Sequence, residues 1–118
     1  MLEQLVDWLD QHTRPGEPIF AYPAIPGVYY LADRPNPTRL DHLLAGMASP
    51  RDQQAVVRDL GPVRVVVWNV GEVDQYLKPT DNAAIVDYVK TNFHVDHVDG
   101  LYTVLVRNGL AASDVAQR

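Results

Sequence analysis

The run Val63–Asn69, VRVVVWN, places four valines and a tryptophan within seven residues. β-Branched side chains are stiff at χ1 and pack well on a pleated surface, so the run predicts a strand. Val65, Val66 and Val67 are consecutive, and neighbouring strand residues point to opposite faces. Both faces of this strand therefore need apolar cover. That requirement predicts a central strand with helices on either side of its sheet.

The rest of the chain supplies those layers. Leu2, Leu5, Val6 and Leu9 recur at i, i+3, i+4 and i+7, which predicts a helix that stops at Arg14-Pro15-Gly16. Pro18–Tyr22 reads as a short buried strand ended by Pro23. Pro26 fits the first position of a brief helical turn carrying Val28, Tyr29, Tyr30 and Leu31. Thr38-Arg39-Leu40-Asp41 has the form of a capping box with Asp in place of Glu, and Leu40, Leu43, Leu44 and Met47 predict a helix behind it. Ser49-Pro50 opens a further helix with Val56, Val57 and Leu60 inward, closed by Gly61-Pro62. A loop over 71–79 leads to a helix from about Thr80 to Asn92, with Ile85, Val86, Tyr88 and Val89 apolar. Phe93–Val98 and Leu101–Arg107 then form a hairpin through Asp99-Gly100, a pair that favours a type I′ turn. The expected fold is α/β: one small domain over residues 1–110, with 111–118 a flexible tail. Its mixed sheet has parallel core strands, helices packed on it and a C-terminal antiparallel hairpin.

Composition removes several function classes. The 118 residues include no cysteine, which excludes disulfide scaffolds, CxxC redox chemistry and thiolate zinc sites. A formal charge of −5 argues against a nucleic-acid partner tracked through phosphates. No apolar run approaches the roughly 20 residues needed to span a bilayer. The first residues, MLEQLVDWLDQH, are amphipathic and acidic, unlike a signal peptide.

Catalytic signatures are lacking: there is no GxGxxG, Walker loop, GxSxG, HExxH or EF-hand loop. His94-Val95-Asp96-His97 has the residue types of a metal site. On a regular strand, however, His94 and Asp96 share one face and His97 takes the other, so a common ion needs a bulge. The plainer reading is a polar edge strand that discourages pairing with other sheets. His12 and His42 fall on polar helix faces and read as solvated. Asp33, Asp41, Asp81, Asp87 and Asp96 show no spacing that demands a paired acid/base role, and Asp81 reads as a helix cap. No cofactor and no metal are expected.

The densest feature is residues 19–39, IFAYPAIPGVYYLADRPNPTR, with Pro18 just before it. Together they hold five of the nine prolines, three of the six tyrosines and two arginines. Proline lowers the entropy lost on ordering, and tyrosine joins apolar area to a polar tip. Arg34 and Arg39 frame Pro35-Asn36-Pro37-Thr38. Two guanidinium groups on a stiff loop suit a phosphate or carboxylate, and they equally suit pairing with Asp33 and Asp41 to hold the loop down. Tyr22, Tyr29 and Tyr30 divide in the same way, between buried rings with satisfied hydroxyls and a membrane-interface platform.

Pro15-Gly16, Phe20, Tyr22-Pro23, Pro26, Tyr29-Tyr30-Leu31, Arg34 and Pro37-Thr38-Arg39, followed by Val65–Trp68, Tyr88-Val89, Phe93 and the closing hairpin, carry a resemblance. The pattern resembles the C-terminal soluble domain of bacterial GT-C membrane glycosyltransferases that use dolichyl- or polyprenyl-phosphate sugars, the protein mannosyltransferase-like group. The resemblance implies an extracytoplasmic, periplasmic domain belonging to a larger membrane protein. In that family the catalytic acids lie on loops between transmembrane helices, so it implies no catalytic residue here. It implies a positional role instead. Tyr22, Tyr29, Tyr30, Arg34, Thr38 and Arg39 would contact the transmembrane part of the parent protein or a polyprenyl-phosphate-linked sugar. Two other expectations stand beside it. One is a stand-alone small-molecule-binding α/β module, with its pocket at the carboxyl ends of Ile19–Tyr22 and Val63–Asn69. The other is a small hydrolase using Asp33, His42 or the His94–His97 cluster.

Overall fold

A computed structural model describes residues 2–22, 29, 32–35, 37–38, 49–69, 82–100 and 102–109. The helix expected after Thr38, the loop over 71–79, the start of the helix expected from Thr80, His42 and the tail lie outside the described residues, as do Tyr30 and Arg39. Within the described residues the element order is α1 (Leu2–His12), β1 (Phe20–Tyr22), α2 (Pro50–Asp59), β2 (Val65–Asn69), α3 (Ala83–Asn92), β3 (Phe93–Asp99) and β4 (Tyr102–Arg107).

The four strands form one mixed sheet in the order β1-β2-β4-β3. β1 runs parallel to β2, with Phe20 opposite Val66 and Tyr22 opposite Trp68. β4 lies antiparallel to both β2 and β3. The valine-rich run is thus an interior strand, and its alternation divides the core in two. Val65 and Val67 join Ile19, Ala21, Val104 and Val106 beneath Leu5 and Leu9 of α1. Val66 joins Phe20, Tyr22 and Leu105 on the opposite face, under Val56 and Leu60 of the α2 segment and Ile85 and Val89 of α3. Each buried aliphatic or aromatic side chain contributes about 1.5–3 kcal/mol, so the two clusters supply most of the drive to fold.

Local chemistry sets the helix ends. Ser49 accepts the amide of Asp52 at 3.1 Å while Asp52 accepts the amide of Ser49 at 3.2 Å, a reciprocal capping box with Pro50 behind it. α3 is different. Asn82 precedes it in the left-handed region (φ +54°) and gives no side-chain cap. Its first turn is served from outside, the Ala84 amide donating to Gln53 Oε1 of α2 at 3.2 Å. Helix packing and helix capping are here the same contact.

The hairpin departs from expectation by one residue. Asp99 pairs with Tyr102 and so belongs to the ladder rather than to the turn, and Gly100 supplies the positive φ of 61°. The register across the turn is set by a β-bulge between Val95 and His97. Continued unbroken, the Phe93↔Arg107 register would pair Val98 with Tyr102; the extra residue puts Asp99 opposite Tyr102 instead.

Candidate functional site

The proline/tyrosine/arginine segment is fastened to the domain at several points. Among the described residues β1 ends the sheet, so one of its edges has no neighbouring strand. Successive amides of a strand point to opposite edges, and Ile19 and Ala21 share one edge. The Ile19 amide donates to Pro35 O at 3.3 Å and the Ala21 amide to Tyr29 Oη at 2.7 Å. The segment therefore covers the edge of β1 with a carbonyl and a phenol rather than with a strand.

Arg34 is the second fastening, and it is only 8% exposed. Its Nε donates to Thr13 Oγ1 at 2.8 Å and its Nη2 to Thr13 O at 3.2 Å. Nη1 donates to Ala32 O at 2.7 Å and Asp33 O at 3.3 Å. Thr13 Oγ1 in turn donates to Leu9 O at the end of α1. The carboxylate nearest the guanidinium is Asp10 at 3.7 Å. Asp33, the expected ion-pair partner, offers its backbone carbonyl, while its side chain is exposed and its backbone left-handed (φ +54°). A planar fork of donors suits several carbonyls around one bend, which a lysine would not satisfy.

Tyr22 belongs to the core. It is fully buried, packs on Trp68 with ring centroids 4.5 Å apart, and its Oη accepts from Asn82 Nδ2 at 3.1 Å. Tyr29 is half-buried against the α1 face. Thr38 is half-buried. The structure thus brings Tyr29 and Arg34 together in one fastening, while Tyr22 faces the opposite side of the sheet.

The bulge that a shared histidine face requires is present. His94 stands opposite Val106 and His97 opposite Val104, so both histidines lie on the α1 face of the sheet. His97 Nδ1 meets Asp96 Oδ2 at 2.6 Å, and its ring lies 5.1 Å from that of Trp8. Trp8 also stacks on His12 at 4.2 Å and 6°, with His12 Nδ1 hydrogen-bonded to Trp8 O. His12 is consequently half-buried against an indole rather than solvated, because i and i+4 residues meet on one helix face. Among the described residues no three His, Asp or Glu side chains gather as metal ligands.

Sequence reasoning missed Thr13 and Asn82, whose polar side chains are buried, and Arg107. Arg107 Nε donates to Val63 O and its Nη2 to Leu60 O, each at 2.7 Å, and its guanidinium lies 4.6 Å from the Phe93 ring. The only signal for it was a lone cation at the end of an apolar strand.

No protein-family model, no curated protein and no solved structure matches the chain.

Proposed function

We propose that the chain is a non-catalytic domain of a membrane glycosyltransferase, placed on the extracytoplasmic face, where it positions or contacts a polyprenyl-phosphate-linked sugar or the membrane-embedded part of the parent protein. The observation that carries this reading is the run Tyr22-Pro23, Pro26, Tyr29-Tyr30-Leu31, Arg34 and Pro37-Thr38-Arg39. The fastening of Tyr29 and Arg34 supports the reading, since residues already held in place lose less entropy when their segment meets a partner. No helix among the described residues is long and apolar enough to cross a membrane, so in this reading the spanning segments belong to the parent protein. Tyr22, Tyr29 and Arg34 serve the domain's own interior, so of the expected contact residues Arg39 is the one to test.

The test is retention of the domain on nanodiscs with and without polyprenyl phosphate. Retention that depends on the polyprenyl phosphate, is lost in Arg39→Gln and is kept in Arg51→Gln on exposed α2 supports the proposal. Equal retention of both variants, or none by the unaltered domain, overturns it.

One observation favours a small-molecule-binding module as a second reading. Tyr22 Oη, Asn82 and Asn69 bring buried polar groups to the carboxyl ends of β1 and β2, where open α/β sheets bind ligands. A metabolite that raises the melting temperature of the domain, but not of Asn82→Ala, would favour it. A screen in which every stabilising compound acts equally on both proteins would remove it.

A further inference from the structure

At the opposite end of the sheet, before β1 and β2 begin, a cleft of about 470 Å³ opens between the turn Arg14–Pro18 and Pro62 and Arg64. Pro15, Pro18 and Pro62 stiffen its walls, and Gly16 (φ +80°) has open space where a side chain would stand. The volume is that of a small-metabolite site.

Its charges are unevenly matched. Among the described residues Glu17 is the only acid lining the cleft. Oε2 of Glu17 accepts Arg64 Nε at 2.8 Å, while Oε1 accepts both Arg64 Nη2 and the Arg14 amide. Both carboxylate oxygens are thus engaged. On the other side of the balance, Arg64 Nη1 is buried without a hydrogen-bond partner. A donor left in that state is destabilising by about 1–3 kcal/mol unless something unseen meets it. The Arg14 side chain, exposed at the rim, forms no ion pair among the described residues.

From this geometry we infer that the cleft binds a small soluble molecule through a phosphate or carboxylate group, held by Arg14 at the rim and Arg64 at the floor. The acid within it neutralises one arginine, and the second leaves the cleft positive on a chain of net charge −5. Glu17 acts as a positioning residue, fixing the Arg64 fork so that Nη1 stays turned from its own ion pair. The bound oxyanion supplies the acceptor that Nη1 lacks. The inference is independent of the membrane-domain reading, since none of these residues belongs to the contact set.

The test is an amide and arginine-Nε NMR titration with inorganic phosphate, glycerol phosphate and acetate at constant ionic strength. Expected are saturable shifts at Gly16, Glu17 and Arg64 with a Kd in the range of about 1 mM. Arg14→Gln weakens binding about tenfold and Arg14→Lys less, with the rest of the spectrum unchanged. Shifts that stay linear in concentration, saturate with an unchanged Kd in Arg14→Gln, or appear equally with chloride overturn the inference. Arg14 is exposed, so its variants fold, and a null result counts against the site itself. Retention on phosphatidylglycerol vesicles that depends on Arg14, without binding of the free anions, would replace the soluble ligand with a lipid headgroup and overturn the inference as stated.

Discussion

The Tyr29 hydroxyl accepts the Ala21 amide at 2.7 Å, giving an amide on the outer edge of β1 an acceptor that is not a strand. An open edge is a template for pairing with other chains, and this one is closed by a phenol and one carbonyl. The aromatic segment that dominates the sequence is therefore first of all a structural cover.

Tyr29→Phe removes the acceptor and keeps the ring. The expected loss is about 1 kcal/mol in urea unfolding, with faster hydrogen exchange at Ala21 than at Ala55 on α2. Unchanged exchange at Ala21 would mean that the phenol does not protect the edge.

Arg34→Ala leaves Thr13 and the Ala32 carbonyl without their donors. A loss of about 3 kcal/mol is expected, and Arg34→Lys recovers less than half because a single ammonium cannot reach all the carbonyls. Asp10→Asn should change stability by less than about 1 kcal/mol, since Asp10 is half exposed and 3.7 Å away. Equal losses for Arg34→Ala and Asp10→Asn would show that the ion pair, not the carbonyl cage, holds the segment.

Asp33 and Asn82 share the same left-handed backbone, φ 54°, and should respond oppositely to glycine. Asp33→Gly relieves the strain at an exposed position and should stabilise by about 0.5 kcal/mol. Asn82→Gly also deletes the bond to Tyr22 Oη and should destabilise by about 1 kcal/mol. Thermal unfolding of the two variants reads the difference in sign.

Ser49→Ala breaks the capping box of α2 at a solvent-exposed position. A loss of about 1 kcal/mol is expected, and Ser49→Asp should restore most of it. A larger loss would indicate that Ser49 does more than cap the helix.

Most of the fold was legible because it depends on local periodicity. Val65–Val67 announced an interior strand, Leu5 and Leu9 a helix against it, and Ser49-Pro50 a helix start; each is a pattern within one turn or one strand. The hairpin turn differs from the expected one by a single residue because the preference of Asp-Gly for a turn does not fix the pairing register. The bulge beside Asp96 that helps set it leaves no mark in the alternation of FHVDHVD. His12 was misread for a related reason: its neighbour Trp8 decides its surroundings, and polarity alone does not show a ring stacked i to i+4.

By itself the sequence determined an α/β domain with a covered central strand and marked residues 19–39 as its most unusual segment. Only the tertiary structure decided what its described residues do. Tyr22 enters one face of the core, Tyr29 closes an edge, and Arg34 is enclosed by Thr13, twenty-one positions earlier. The reason is physical. Proline content and aromatic density are local properties, whereas the burial of a guanidinium depends on which distant carbonyls converge around it, and convergence over such separations is settled only when the chain packs.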